Sequence, residues 1–217
     1  MPPHSFTLVC FAVKEEAKFF TPLVRTRSDV QTLLTGMGSA NAAKALHTFL
    51  GQNFPSLAIS AGFAGGLKPG LSAGTVLFET QAGNPALHAA LASAGARPAR
   101  FAFAQRVATR SAEKQRLGES TGADAVEMES HVISRICCER QVPCVTVRVV
   151  LDRLEEDLPL DFNQLMTSEQ RLDGGKLAIT LLRSPGKIRS LLRLRKQSDF
   201  CAQCLAQVLT QVLLQNP

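Results

Sequence analysis

The chain has 217 residues, a length typical of one large domain, and 45% of them are apolar, which is enough to fill a sizeable core and argues against disorder. It contains no Trp or Tyr and only 12 Phe, which argues against a single-stranded nucleic-acid binder built on aromatic stacking. The net charge of +6 fits a solvated basic surface, and it also fits attraction to a phosphate, a nucleic acid or an anionic membrane.

Strands and helices alternate in the first half of the chain. The strands are short and nearly continuous apolar runs, which is typical of a sheet covered on both faces. We predict strands at 6–13, 30–34, 57–60 and 75–79. We predict helical character at 14–24, a helix from an N-cap at Ser39 to about Leu50, and an Ala-rich helix at 85–94.

The same alternation continues in the second half. We predict strands at 99–104, 123–128 and 144–151, of which the last is the strongest central strand. We predict helices at 113–118, 130–140, 161–182 and 198–214. This order predicts an α/β fold in which residues 1–217 form a single domain, a three-layer sandwich with a mixed, mostly parallel central sheet flanked by helices.

The cysteines indicate reduced thiols and a cytoplasmic protein. No basic and apolar leader precedes them, and no stretch approaches the ~20 apolar residues that span a bilayer. Cys10 and Cys144 lie in apolar strands, while Cys201 and Cys204 form a C-x-x-C on a predicted helix without a second pair. The four His have no ligand spacing, so we expect no metal site and no cofactor.

Two glycine-rich turns, at 36–39 and 62–66, follow predicted strands. The first contains Gly36, Gly38 and Ser39 and opens a helix, where backbone N–H groups can hold an anion or a ribose hydroxyl. Neither turn has the dinucleotide-binding or P-loop pattern, and each is explained equally well by a sharp strand-to-helix turn.

Three carboxylates, those of Glu16, Glu129 and Asp152, follow strand ends. Asp152 comes directly after the strongest strand, Glu129 ends the strand at 123–128, and Glu16 lies a few residues beyond the first strand. A lone carboxylate there is usually a cap or a solvated loop residue. Because ligands gather at the carboxyl ends of strands in open α/β sheets, three of them beside two glycine turns favour one shared pocket.

Five motifs, taken in order, resemble those of the methylthioadenosine/adenosylhomocysteine nucleosidases of the purine nucleoside phosphorylase/nucleosidase superfamily. They are 12–16 (AVKEE), 35–43 (TGMGSANAA), 61–67 (AGFAGGL) with 69–74 (PGLSAG), 125–130 (AVEMES) and 147–152 (VRVVLD). Together they cover most of residues 6–165.

The resemblance implies roles for individual side chains. Asp152 would protonate or hydrogen-bond N7 of the purine, Glu129 would accept hydrogen bonds from the ribose hydroxyls beside the Met128 backbone, and Glu16 would activate the attacking water. Val107 stands where the family contacts the base. The other substrate-binding residues that it implies are Gly62, Phe63 and Glu127.

The main open question is whether the attacking nucleophile is water or phosphate. Bacterial phosphorylases of the superfamily carry an arginine and a serine at the positions of Ser60 and Phe63, and phosphate needs such cations and donors. Glu16 fits the hydrolytic relatives, so we predict a nucleosidase that releases adenine from a 5′-substituted adenosine. The alternatives are a phosphorylase acting on a lipid-linked (hopanoid) or other purine nucleoside, and a non-catalytic nucleoside- or nucleic-acid-binding domain.

This sequence departs from the nucleosidase pattern at two places, and these bear on the substrate and on the partners. The family suggests a homodimer, but its long segment after the strand at 75–79, which covers the 5′ group at the dimer interface, is replaced here by the short stretch 81–85. Residues 183–196 hold six cations and no acid, and resemble the tail of hopanoid-associated phosphorylases. This basic stretch predicts contact with an anionic membrane surface, or a solvated helix packing through Ile188, Leu191, Leu192 and Leu194. Nucleic acid is disfavoured as a partner because carboxylates in the pocket repel phosphates.

Overall fold

The computed structural model describes residues 5–80, 84–167, 169, 173, 175–176, 179–180, 184 and 186–215. The strands are β1 (Thr7–Phe11), β2 (Val30–Leu34), β3 (Leu57–Gly66), β4 (Val76–Thr80), β5 (Arg97–Pro98), β6 (Phe101–Phe103), β7 (Ala125–Glu127) and β8 (Cys144–Asp152). The helices are α1 (Lys14–Ala17), α2 (Thr21–Val24), α3 (Ser39–Leu50), α4 (Pro85–Ser93), α5 (Ser111–Thr121), α6 (Ser130–Glu139), α7 (Phe162–Leu165) and α8 (Lys187–Gln215).

The strands form one mixed, mostly parallel sheet flanked by helices, as predicted. Its main order is β2-β1-β3-β8-β4-β5, in which β4 runs antiparallel to β8 while the other neighbours are parallel. β3 is ten residues long, and its last two residues pair antiparallel with β7, which in turn pairs parallel with β6. The long β3 therefore joins the main sheet to the short β6–β7 pair.

Both faces of the sheet are buried, which explains why its strands are almost continuously apolar. Alternate side chains of β1 enter different cores: Val9 and Phe11 face one side, and Leu8 and Cys10 face the other. The first core is completed by side chains of α1, α2, α4 and α8, and the second by side chains of α3 and α6.

Several predicted boundaries are wrong for local reasons. The helical stretch predicted at 14–24 is two short helices, and Pro22 lies in the first turn of α2, where its missing N–H costs nothing. Gly38, not Ser39, is the N-cap of α3. The strand predicted at 99–104 is the shorter β6 (101–103), and β5 at 97–98, which ends at Pro98, was not predicted. α5 is longer than predicted and ends at Gly122, which has a φ of 66°.

The C-terminal third departs most from the prediction. The helix predicted at 161–182 is interrupted after Leu165, because Met166 is extended and the Leu165 carbonyl accepts a hydrogen bond from the Asp173 N–H instead of continuing the helix. Residues 175–176 and 179–180 are helical again, and most of 168–183 lies outside the described residues. Conversely, the helix predicted at 198–214 already begins at Lys187. The predicted packing through Ile188 and Leu192 is wrong, since these side chains are exposed.

Two further predictions fall partly outside the described residues. The basic stretch 183–196 is helical from Lys187, but Arg183 and Pro185 are not among the residues that the structure describes. The same holds for residues 81–83 of the short connection at 81–85. None of the helices in the described part of the chain is long and apolar enough to cross a bilayer.

Candidate active site

The second half of β3 contacts the segments that carry the three predicted carboxylates. The Phe63 N–H donates a hydrogen bond of 2.8 Å to Glu16 Oε1. Two residues further on, Gly65 pairs with Asp152 of β8 on one side, after a register shift, and with Val126 of β7 on the other. Because β7 leads directly to Glu129, all three carboxylates are placed by contacts of one short segment of β3; that they line one pocket stays a prediction.

Glu16 is buried in the first turn of α1 and is held by three backbone donors. Its Oε2 accepts from the Ala12 and Val13 N–H groups at 2.8 and 3.1 Å, and its Oε1 accepts from Phe63. Burial raises the pKa of Glu16, and Arg148 and the backbone hydrogen bonds oppose this rise. A carboxylate in this setting is both oriented and made a stronger base.

Arg148 is the cation around which Glu16, Glu127 and Glu129 lie, and it was not among the predicted site residues. It lies in the middle of β8, is 1% exposed, and donates from Nη2 to Glu127 Oε2 at 2.6 Å and to Ser60 Oγ at 3.2 Å. The same nitrogen lies 3.6 Å from Glu129 Oε2. Its buried Nε has no hydrogen-bond partner among the described residues. Burial lowers the pKa of Arg148, but the surrounding carboxylates more than reverse this, so the guanidinium is a permanent charge.

Glu127 is saturated by the protein itself, which differs from its predicted role in substrate binding. Its Oε2 accepts from Arg148 and from the backbone N–H groups of Glu129 and Ser130, and its Oε1 accepts from the Ser130 hydroxyl at 2.8 Å. Burial alone would raise its pKa, but Arg148 and these hydrogen bonds bring the pKa below its usual range. Glu127 therefore remains an anion that orients Arg148 and the start of α6.

Glu129 is the N-cap of α6, beyond the end of β7, and it is buried. Its Oε1 accepts a 2.7 Å hydrogen bond from the Gly38 N–H. Burial raises its pKa to about 7; Arg148 opposes the rise, while Glu16 and Glu127 add to it. The group is thus poised to exchange a proton near neutral pH.

The glycine turn before α3 serves this carboxylate. The Gly38 N–H binds Glu129, the Ser39 hydroxyl donates to the Met128 carbonyl at 3.2 Å, and the Gly36 N–H donates to the Ala12 carbonyl. The donors of this turn named in the prediction are therefore engaged within the protein: Gly38 binds the Glu129 carboxylate, and Gly36 and Ser39 bind backbone carbonyl groups. Their contact with ribose stays a prediction.

Asp152 ends β8 and is paired with a buried lysine. Lys114 Nζ of α5 lies 2.6 Å from Asp152 Oδ2, and the side chain of Lys114 is fully buried. Burial raises the pKa of Asp152, and the Lys114 ammonium opposes the rise without cancelling it. The site thus has two charge centres, one around Arg148 and one around Lys114.

Gly62 is required by close packing rather than by its backbone conformation. A Cβ atom at this position would lie 2.5 Å from both Arg148 Nη1 and Glu16 Oε1. A Cβ at Gly65 would lie 3.6 Å from both carboxylate oxygens of Asp152. The missing side chain of Gly62 lets a carboxylate and a guanidinium approach the strand; contact of Gly62 with substrate stays a prediction.

Val107, predicted at the base, is engaged through its backbone by Asn163. The Val107 N–H donates to Asn163 Oδ1 and the Val107 carbonyl accepts from Asn163 Nδ2, both at 2.9 Å. Asn163 lies in α7, where the Asp161 side chain caps its N–H. Phe63, the other predicted wall of the pocket, is partly buried and packs against the first core. Contact of Val107, Met128 and Phe63 with substrate stays a prediction.

Sequence reasoning missed Arg148, Lys114 and Asn163. Arg148 did carry a signal, because a cation inside an apolar strand must find a buried partner. Lys114 carried a weaker signal: it shares one face of α5 with Leu117 and Gly118. Asn163 carried none.

Sequence comparison finds similarity to one family model and to a nucleosidase. The family model described as the phosphorylase superfamily matches residues 86–183. A 5′-methylthioadenosine/S-adenosylhomocysteine nucleosidase of Anoxybacillus flavithermus is 27% identical over 172 residues, which cover 64% of this chain and 74% of the relative.

Solved structures share the fold at lower identity. The 5′-methylthioadenosine/S-adenosylhomocysteine nucleosidase of Neisseria meningitidis, in complex with methylthio-immucillin-A, superposes with a TM-score of 0.70 at 16% identity, covering 96% of this chain and 98% of that one. The futalosine hydrolase of Helicobacter pylori has a TM-score of 0.67 at 13% identity, covering 95% and 98%. These findings confirm the predicted resemblance to the nucleoside phosphorylase/nucleosidase superfamily and its nucleosidases. The resemblance of the tail to hopanoid-associated phosphorylases stays a prediction.

Proposed function

We propose that this chain is a nucleosidase that hydrolyses the N-ribosidic bond of a 5′-substituted adenosine and releases adenine. The observation that carries the proposal is that two groups of buried charges lie beside the end of β3. In one, Asp152 is paired with Lys114; in the other, Glu129 lies beside Arg148 and Glu16 accepts a hydrogen bond from Phe63 of β3. The similarity to the Anoxybacillus nucleosidase supports the class of substrate.

Asp152 supplies the proton for the leaving group. As the C1′–N9 bond breaks, its electron pair moves into the purine, and a proton passes from the Asp152 carboxyl group to N7. Burial favours the protonated carboxyl form of Asp152, which raises the share of enzyme able to act as an acid near neutral pH.

Glu129 and Glu16 serve the ribose and the nucleophile. Cleavage of an N-ribosidic bond passes through a cation-like sugar, which a nearby carboxylate stabilises much as paired carboxylates do in glycoside hydrolysis. Glu129 accepts the ribose hydroxyls through Oε2, the oxygen to which the Gly38 N–H does not donate. Glu16, held by three N–H donors and with its pKa raised by burial, takes a proton from the attacking water.

Water suits this site better than phosphate. A phosphate needs several donors or cations that are not already engaged. The N–H groups of Ala12, Val13 and Phe63 bind Glu16, and Arg148 binds Glu127 and Glu129. A phosphate dianion there would face carboxylates in a buried setting.

The test is release of the free purine base from methylthioadenosine, adenosylhomocysteine and futalosine, each with and without inorganic phosphate. We expect release without phosphate and a free sugar as the second product. Asp152→Asn should lower the rate at least ~100-fold, whereas Asp199→Asn, which removes an exposed surface acid paired with Lys18, should not change it. Release only with phosphate, yielding a sugar 1-phosphate, would make the chain a phosphorylase. If wild type and Asp152→Asn were equally inactive on all three, the proposed function would be wrong.

A further inference from the structure

Lys114 is buried at the end of β8 with no contact to solvent. Its Nζ reaches 2.6 Å from Asp152 Oδ2, and the two residues are separated by 38 positions in the sequence. A buried ammonium is costly unless it is paired, and Asp152 is the acid with which it pairs. The lysine is therefore placed by the fold specifically against this carboxylate.

The hydrogen bonds of Lys114 show that it is a fixed cation. An ammonium group has three donors, and here they meet three acceptors: Asp152 Oδ2, the Arg153 carbonyl and, at 2.7 Å, the Glu156 carbonyl. A neutral amine would have one N–H too few for this set. The same three bonds tie the turn after β8 to α5, so the orientation of Asp152 and the path of the chain beyond it depend on one group.

We propose, on the basis of the proposed function, that Lys114 is a positioning residue that holds Asp152 by one oxygen and sets the pH range in which Asp152 can protonate the leaving base. Asp152 Oδ2 stays with the ammonium, and Oδ1 is the oxygen that donates to N7. When the proton leaves Oδ1, the new carboxylate lies beside a positive charge. Lys114 therefore stabilises ionised Asp152, the state after proton transfer, more than it stabilises the neutral acid. This lowers the barrier to proton transfer without tightening substrate binding.

Other groups act on Asp152 more weakly or in the opposite direction. Glu156, from the turn after β8, raises the pKa of Asp152, and it is engaged by Arg153 at 2.9 Å. Burial raises the pKa of the Cys201 thiol of α8 to about 12, and nearby Asp152 adds to the rise, so this thiol is neutral at physiological pH. Lys114 is the cation that lowers the pKa of Asp152.

The experiment is a titration of Asp152 by carboxyl ¹³C NMR, with its signal assigned from its loss in Asp152→Asn. We expect the midpoint to rise by at least ~1 pH unit in Lys114→Met, since an opposite charge this close typically shifts a carboxyl pKa by 1–3 units. Lys114→Gln keeps hydrogen-bond donors without the charge, should shift the midpoint in the same direction, and replaces Lys114→Met if that variant does not fold. The matched control is Arg116→Met, which removes an exposed cation from the same helix and should move the midpoint by less than ~0.3 unit.

Kinetics with methylthioadenosine provide the second readout. We expect the alkaline limb of kcat/KM to move to higher pH in both Lys114 variants, with kcat lowered at least ~10-fold and KM changed less than ~3-fold. An unmoved midpoint, or a uniform loss of rate with the alkaline limb in place, would overturn this inference while leaving the proposed function intact. A wild-type enzyme that cleaves no nucleoside would instead remove the proposed function, and the NMR midpoint would still decide whether Lys114 controls Asp152.

Discussion

Glu129 links the stability of the protein to pH in a way that can be isolated by one substitution. Glu129→Gln keeps a carbonyl acceptor for the Gly38 N–H but cannot ionise. In the wild type, folding raises the pKa of Glu129 from 4.5 to about 7. At about 1.4 kcal/mol per pH unit, this corresponds to roughly 3 kcal/mol of unfolding free energy.

The direction follows from the raised pKa. The fold prefers the neutral carboxyl group, so this contribution is fully present below pH 4.5 and is lost as the pH rises through about 7. The free energy of unfolding of the wild type should therefore fall relative to that of Glu129→Gln over this window. Under the proposed function, in which ionised Glu129 accepts the ribose hydroxyls, kcat/KM for adenine release should rise over the same window.

Urea unfolding at pH 4.5, 5.5, 6.5 and 7.5 measures this difference. Glu119→Gln, on the exposed face of α5, is the control, and its curve should run parallel to that of the wild type. Parallel curves for wild type and Glu129→Gln would refute the reasoning, because they would mean that Glu129 has a similar pKa in the folded and unfolded chain.

Three other variants test the packing of the site. Gly62→Ala should lower adenine release at least ~10-fold and cost about 1–3 kcal/mol of stability, since its Cβ would lie 2.5 Å from Arg148 Nη1. The control is Gly51→Ala, where the nearest contact is 3.4 Å, and it should stay within ~0.5 kcal/mol of wild type in thermal unfolding. Arg148→Met should destabilise the chain by about 3–5 kcal/mol at pH 7.5 and by less at pH 5, where the orphaned carboxylates protonate; an equal loss at both pH values in urea unfolding would contradict this. Asn163→Ala removes both hydrogen bonds to Val107 and should raise KM ~10-fold with little change in kcat; a loss confined to kcat would argue against a role of this pair in substrate binding.

The sequence revealed the carboxylates but not their partners. Asp152 and Glu16 stand beside apolar strands in recognisable motifs, so their place at one end of the sheet follows from strand order. Arg148 pairs with Glu127 across 21 residues and Lys114 with Asp152 across 38, and no local pattern states which acid a distant cation will meet. The charge balance that sets each pKa is therefore a property of the tertiary structure alone.

Element ends were harder to predict where burial does not decide them. β8 and α6 are buried and lie close to their predicted positions. The first ten residues of α8 are mostly exposed, so their helical state comes from the continuation of a packed helix rather than from an apolar face of their own.

The length of β3 has a consequence for how substrate preference can change during evolution. Five consecutive residues, 62–66, receive Glu16, border Asp152 and pair with the strand that leads to Glu129. A larger side chain at Gly62 would meet Glu16, and one at Gly65 would approach Asp152, so changes in this segment are strongly constrained. A change of substrate preference is then confined to segments that do not carry the acids, such as the stretch around Val107 and α7, which can vary while the acids keep their positions.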